Sequence, residues 1–136
     1  HINYAKRFRT SEFKIKNLVD AISHATAGMA IDINAKAIVV TSISGMTVRM
    51  VSRFRAPTDI IGMATSKRTW YKLALSWGVT PVLSERFDST DVLFYHALRT
   101  AKKALDLHPG DNVIITGGMI NGKSGNTNLI KVETVE

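Results

Sequence analysis

The sequence predicts an α/β fold: a three-layer sandwich in which a mainly parallel five-stranded sheet, with an antiparallel edge strand, carries helices on both faces. Three observations predict it. Runs such as Ala37-Ile38-Val39-Val40 are short, apolar and free of polar alternation, as strands buried on both faces require. Apolar residues between those runs recur at helical spacing. Strand, helix, strand units of this length imply parallel pairing through right-handed crossovers.

From Phe13 to Ile33, the residues Ile15, Leu18, Val19, Ile22, Met29 and Ile33 form one stripe of a long helix, with Asn34 as its stop. Ala37 to Val40 is the first strand. Val48, Val51 and Phe54 place a short helix over about Met46 to Arg55, ending before Pro57. Asp59 to Ala64 supplies the second strand. Ser66 caps a helix that carries Trp70, Leu73, Ala74 and Trp77 on one side, Gly78 ends it, and Val79 to Leu83 is a strand. Ser89 or Thr90 caps a further helix, with Val92, Leu93, Ala97, Leu98, Ala101 and Leu105 facing inward. His108-Pro109-Gly110-Asp111 turns the chain into the strand Asn112 to Thr116. Leu129 to Val135 alternates outward polar with inward apolar residues, as an edge strand does.

The 136 residues suit a single domain over 1–136, with the polar, weakly patterned residues 1–12 as a leader or an inter-domain segment. A hydrophobic content of 45% and a charged content of 21% exclude a disordered chain. No window approaches the roughly 18 apolar residues of a membrane span, and the first residues lack a signal-peptide core, so no membrane partner is expected. The absence of cysteine excludes disulfides, thiolate metal sites and thiol nucleophiles, and suits a cytoplasmic location. A net charge of +7 favours anionic partners. Nucleic acid is not among those expected, since no groove-reading motif or stacking platform accompanies the charge.

Two segments can carry chemistry. Thr41-Ser42-Ile43-Ser44-Gly45-Met46-Thr47 leaves the first strand and opens a helix. The hydroxyls of Ser42, Ser44 and Thr47 can donate to phosphate oxygens, Gly45 permits close approach, and the helix end favours an anion. Alternatively, Ser44 only caps the helix and Gly45 only makes the turn. No lysine follows in the spacing of an ATP-binding phosphate loop. The second segment, Thr116 to Asn128, contains four glycines, Gly117, Gly118, Gly122 and Gly125, with Lys123 as a charge for a second anionic group. A plain connection to the edge strand is the alternative, above all for Asn121-Gly122. His1, His24, His96 and His108 lack metal-ligand spacing and are expected on the surface or packed. Asp88 and Asp91 flank a helix start as caps, and Trp70 and Trp77 are expected in the core.

Asp20-Ala21-Ile22-Ser23-His24-Ala25-Thr26, Asn34-Ala35-Lys36-Ala37-Ile38, Ser44-Gly45-Met46-Thr47-Val48-Arg49, Trp77-Gly78-Val79-Thr80-Pro81, Ser89-Thr90-Asp91 and Gly125-Asn126-Thr127-Asn128 occur in this order. Together they resemble the C-terminal regulatory domain of the pyruvate kinase family. That family moves a phosphoryl group from phosphoenolpyruvate to ADP, with magnesium and usually potassium, on a separate barrel domain. The resemblance therefore implies no catalytic residue, metal or cofactor in this domain, and no catalysis by it alone. It implies an effector phosphate held by Ser42, Ser44, Gly45, Met46 and Thr47. It also implies a loop bearing Gly117, Gly118, Asn121, Gly122, Lys123, Ser124 and Gly125 that closes over the effector. Two departures bear on the ligand: Ile43 is apolar where relatives carry polar residues, and Arg86 to Asp91 shows no basic-aromatic pair for a second phosphate. A sugar monophosphate or AMP is favoured over a bisphosphate, and a structural domain that binds no ligand is the alternative. The family also implies a homotetramer, with contacts from the first helices and the last strand.

Overall fold

The computed structural model of the chain describes residues 2–41, 45–87, 89–118 and 127–136. Its elements are α1 (Tyr4–Thr10), α2 (Leu18–Asp32), β1 (Ala37–Thr41), α3 (Met46–Arg53), β2 (Asp59–Ala64), α4 (Lys67–Ala74), β3 (Val79–Leu83), α5 (Thr90–Ala104), β4 (Asn112–Gly118) and β5 (Thr127–Thr134). The strand order is β3-β2-β1-β4-β5. β1 pairs in parallel with β2 and β4, β2 pairs in parallel with β3, and β5 runs antiparallel along β4 as an edge. The mainly parallel sheet with helices on both faces is thus observed.

β1 shows why the layers form. Ala37, Ile38, Val39 and Val40 are all fully buried, and successive residues of a strand point to opposite faces. Ile38 and Val40 join Val48, Val51, Ile60 and Leu73 in a core that includes α2, α3 and α4 residues. Ala37 and Val39 join Ile61, Met63, Leu93, Ala97 and Ala101 beneath α5. A strand that is apolar on both faces needs cover on both.

Gly62 shows how closely α3 and α4 sit on that sheet. A β-carbon there would lie 2.9 Å from Leu73 Cδ1, 3.1 Å from Val48 Cγ1 and 3.3 Å from Val79 Cγ1. Gly62→Ala is expected to cost about 1–3 kcal/mol through overpacking, measured by urea denaturation. Wild-type stability would show that the interface yields.

Several element boundaries differ from the sequence expectation. α2 begins at Leu18, not near Phe13, because Asn17 is extended and its side chain accepts from Asp20 N at 2.9 Å. Asp20 in turn accepts from Lys16 N at 3.2 Å. This reciprocal cap outweighs the apolar spacing upstream, and Ile15 and Leu18 remain exposed. The stop at Asn34 holds: its φ is 52°, and Ala35 N donates to Ala30 O at 2.9 Å. Ser66 caps α4 by accepting from Thr69 N at 3.2 Å. α4 nevertheless ends at Ala74, where Leu75 and Ser76 donate three residues back and tighten the last turn. Trp77 is therefore off the helix and exposed, not core. On α5, Leu93, Ala97 and Ala101 are buried as expected, but Val92 is exposed. Ser89 occupies the α5 cap position without a side-chain cap bond, Asp91 lies in the first turn, and Asp88 lies outside the described residues.

Within residues 1–12, Asn3 caps α1 by accepting from Lys6 N at 3.0 Å. Phe8 of α1 is buried against Phe13, His24 and Phe54. His24 stacks on Phe8 at 4.8 Å and His96 on Phe87 at 4.5 Å, while His108 is exposed beside Asp106. At the far edge, Ile130 of β5 packs toward the α2 side and Lys131 Nζ lies 6.0 Å from the Phe94 ring of α5. Val132 is exposed, so the inward apolar alternation expected there is incomplete.

Candidate functional site

Parallel topology brings the carboxyl ends of β1, β2, β3 and β4 to one side of the sheet, where ligands of such folds bind. β1 ends at Thr41 and α3 starts at Met46, so the hydroxyl-rich turn lies at this edge. Ser42 and Ser44 are outside the described residues, as are Asn121, Gly122, Lys123, Ser124 and Gly125. Gly45, Met46, Thr47, Gly117 and Gly118 are described, and they frame both segments.

Gly45 takes a left-handed φ of 82°, which favours glycine. A β-carbon there would lie 3.1 Å from Leu73 Cδ2 and 3.2 Å from Thr69 Cγ2. α4 thus packs against the start of α3. The first turn of α3 contains no acidic residue, so no carboxylate of that turn opposes an anion at the positive end of its dipole. Thr47 is buried at 2% exposure and Met46 is half-buried.

The second segment starts beside the first, because Thr41 is paired in register with Gly117. Gly117 has a φ of 153° and opens a register shift before Gly118. A β-carbon on Gly117 would overlap Thr41 Oγ1 and lie 2.6 Å from Thr41 O. Thr41 Oγ1 is itself buried and has no hydrogen-bond partner. Thr116, one residue earlier, donates its hydroxyl to Leu129 O at 2.9 Å and ties β5 to β4 at the base of the loop. Lys67 and Arg68, exposed at the start of α4, bring further positive charge to the same edge.

Thr41 was not among the sequence-predicted site residues. Its signal is a hydroxyl closing an otherwise apolar strand; its unpaired state depends on Gly117, far away in the chain. A concavity of about 530 Å³ lies beyond β3, lined by Leu83, Ser84, Glu85, Phe87, His96 and Thr100. It contains none of the predicted site residues. Among the described residues, no group of three or more His, Asp or Glu side chains is placed to hold a metal. No described helix is long and apolar enough to cross a membrane.

The family described as "Pyruvate kinase, alpha/beta domain" matches residues 20–133. The chain belongs to this pyruvate kinase domain family. It is 39% identical over 121 residues to the pyruvate kinase of Clostridium acetobutylicum, covering 89% of this chain and 26% of that protein. It is 40% identical over 119 residues to that of Staphylococcus epidermidis, covering 88% of this chain and 20% of the relative. With the enzyme of Lactobacillus delbrueckii subsp. bulgaricus it shares 35% identity over 127 residues, 93% of this chain and 22% of the relative. The chain therefore spans about a quarter or less of the length of these pyruvate kinases, and it corresponds to their C-terminal domain. The family match begins at Asp20, in the first turn of α2, and ends at Glu133 in β5, so it takes in the whole sheet except the last residue of β5.

Proposed function

We propose that this chain is the regulatory domain of a pyruvate kinase, binding a phosphorylated effector where the Thr41–Thr47 turn meets the loop after β4. In the full-length enzyme, transfer from phosphoenolpyruvate to ADP, with magnesium and potassium, takes place on another domain, and the isolated chain is inactive. The Thr41 hydroxyl carries this reading. A buried hydroxyl without a partner costs about 1–3 kcal/mol, and this one lies between the two predicted effector segments, beside a helix start with no acidic residue. A ligand oxygen would supply the missing partner. Ser42, Ser44, Gly45, Met46 and Thr47 hold the phosphate, and Gly117 to Gly125 closes over the rest of the effector.

A sugar monophosphate or AMP fits better than a bisphosphate. The Phe87 ring is stacked on His96, so one of its faces is already taken and does not serve a second phosphate group. The free edge of β5 and the exposed Val132 suit a subunit contact in a homotetramer, and the lack of cysteine suits the cytoplasm.

Calorimetry with a sugar monophosphate, AMP and fructose 1,6-bisphosphate tests the assignment. We expect saturable binding of a monophosphate, weakened about tenfold by Ser44→Ala and by Thr41→Val, a loss of about 1.4 kcal/mol each. Without ligand, Thr41→Val should leave stability unchanged or raise it, because it removes an unpaired hydroxyl. No binding across the panel would defeat the assignment. The alternative, a structural domain that binds no effector, draws on the burial of Thr47 at 2% exposure. It predicts a ligand-independent oligomer in sedimentation together with that null calorimetric result.

A further inference from the structure

The amino edge of the sheet, opposite the proposed effector seat, carries a charged group that the proposed function does not use. α3 runs back to this edge, and Arg55 follows it with a φ of 55°. A long side chain rarely holds this left-handed conformation. The Arg55 guanidinium lies 4.6 Å from the centre of the Trp77 ring. Trp77 in turn packs against Tyr4 of α1 at 5.0 Å, and its carbonyl accepts from the Ser52 hydroxyl at 2.5 Å. The platform is thus fixed from two sides.

Arg55 is half-buried, and its Nη1 is enclosed with no hydrogen-bond partner. The carboxylates of α2 do not serve it: Asp20 faces Arg53 at 4.0 Å and Asp32 faces Arg9 at 3.6 Å. A charged donor enclosed without an acceptor is unfavourable, and so is a non-glycine residue in left-handed backbone. Both occur at one residue, above an exposed aromatic ring.

We infer that Arg55, with Trp77 as its floor, is a carboxylate-binding site. The Trp77 ring lies beside the guanidinium, and a planar carboxylate takes two parallel N–H bonds from an arginine fork. Pairing through Nη1 requires the half-buried side chain to rotate that nitrogen outward. The net charge of +7 draws such ligands in. The carboxylate belongs either to a small organic acid or to an acidic side chain of a polypeptide, and the experiment separates the two.

The test is a ¹⁵N NMR titration of the 136-residue chain at constant ionic strength, following the Trp77 indole N–H. The probes are sodium acetate and the peptide acetyl-Gly-Glu-Gly-amide, with sodium chloride as the matched salt. A saturable shift with a carboxylate probe is expected, weakened at least tenfold in Arg55→Gly, a variant whose new residue is at ease at this φ. Arg55→Lys keeps the charge without the fork and should bind several-fold more weakly than the wild type. Half-saturation at least tenfold lower for the peptide assigns a polypeptide source; comparable values assign a small acid. The same response to chloride, an undiminished response in Arg55→Gly or full binding by Arg55→Lys would each overturn the inference.

Discussion

Gly117→Ala is expected to destabilise the chain by about 4 kcal/mol, the sum of about 1–3 kcal/mol of overpacking and about 1–3 kcal/mol of backbone strain. The overpacking arises because the new β-carbon would overlap Thr41 Oγ1 and press on Thr41 O at 2.6 Å. The strain arises from the φ of 153°, which side chains rarely adopt. A domain of this size is stable by only about 5–15 kcal/mol, so urea denaturation should show a large fall in midpoint with an unchanged slope. Thr41→Ala in the same background removes the hydroxyl but not the carbonyl, so it should recover only part of the loss. Full stability of Gly117→Ala alone would mean that β1 and β4 do not approach as closely as the structure places them. The same contact lies where the two proposed effector segments begin.

Phe54→Ala is expected to cost about 3–5 kcal/mol, as for other fully buried aromatic side chains. Phe54 is 1% exposed, and its ring meets Phe13 at 4.9 Å, His24 at 5.3 Å and Phe8 at 6.5 Å, all near edge-on. That geometry adds to what burial alone contributes. Because Phe54 follows α3 while Phe8 lies on α1, the two truncations should differ in reach. Phe8→Ala should expose the α1 amides to hydrogen exchange while β1 stays protected, whereas Phe54→Ala should lower protection throughout. Identical exchange patterns in the two variants would show that α1 is no separate unit.

The central strands β1, β2 and β4 were legible because each contains a local apolar run with only one stable placement. Ile38 and Val40 face one helix layer, Ala37 and Val39 the other, and no polar residue interrupts them. The helix boundaries were less legible where two local signals competed. Ile15 continues the apolar stripe of α2, yet the Asn17–Asp20 cap starts the helix after it. Trp77 continues the apolar spacing of α4, yet the helix ends at Ala74 and the indole packs against Tyr4. Tyr4 lies too far away in the chain for a periodicity argument to reach it.

The candidate site divides in the same way. The turn after β1 and the glycine-rich segment after β4 were visible as sequence because hydroxyls and glycines at strand ends are local features. The unpaired Thr41 hydroxyl was not visible, since it depends on a register that sets Thr41 beside Gly117. Nor was the enclosed Nη1 of Arg55, which depends on where Trp77 comes to rest.

Sequence by itself determined the family, the order of strands and helices from α2 onward, and the two segments at the carboxyl edge, because composition and short-range spacing carry that information. Tertiary structure alone decided which polar atoms are left without partners, which aromatic rings gather around Phe54, and how closely Thr41 and Gly117 approach. Those outcomes arise from side chains many residues apart meeting in a close-packed interior, where a single β-carbon decides whether two strands fit.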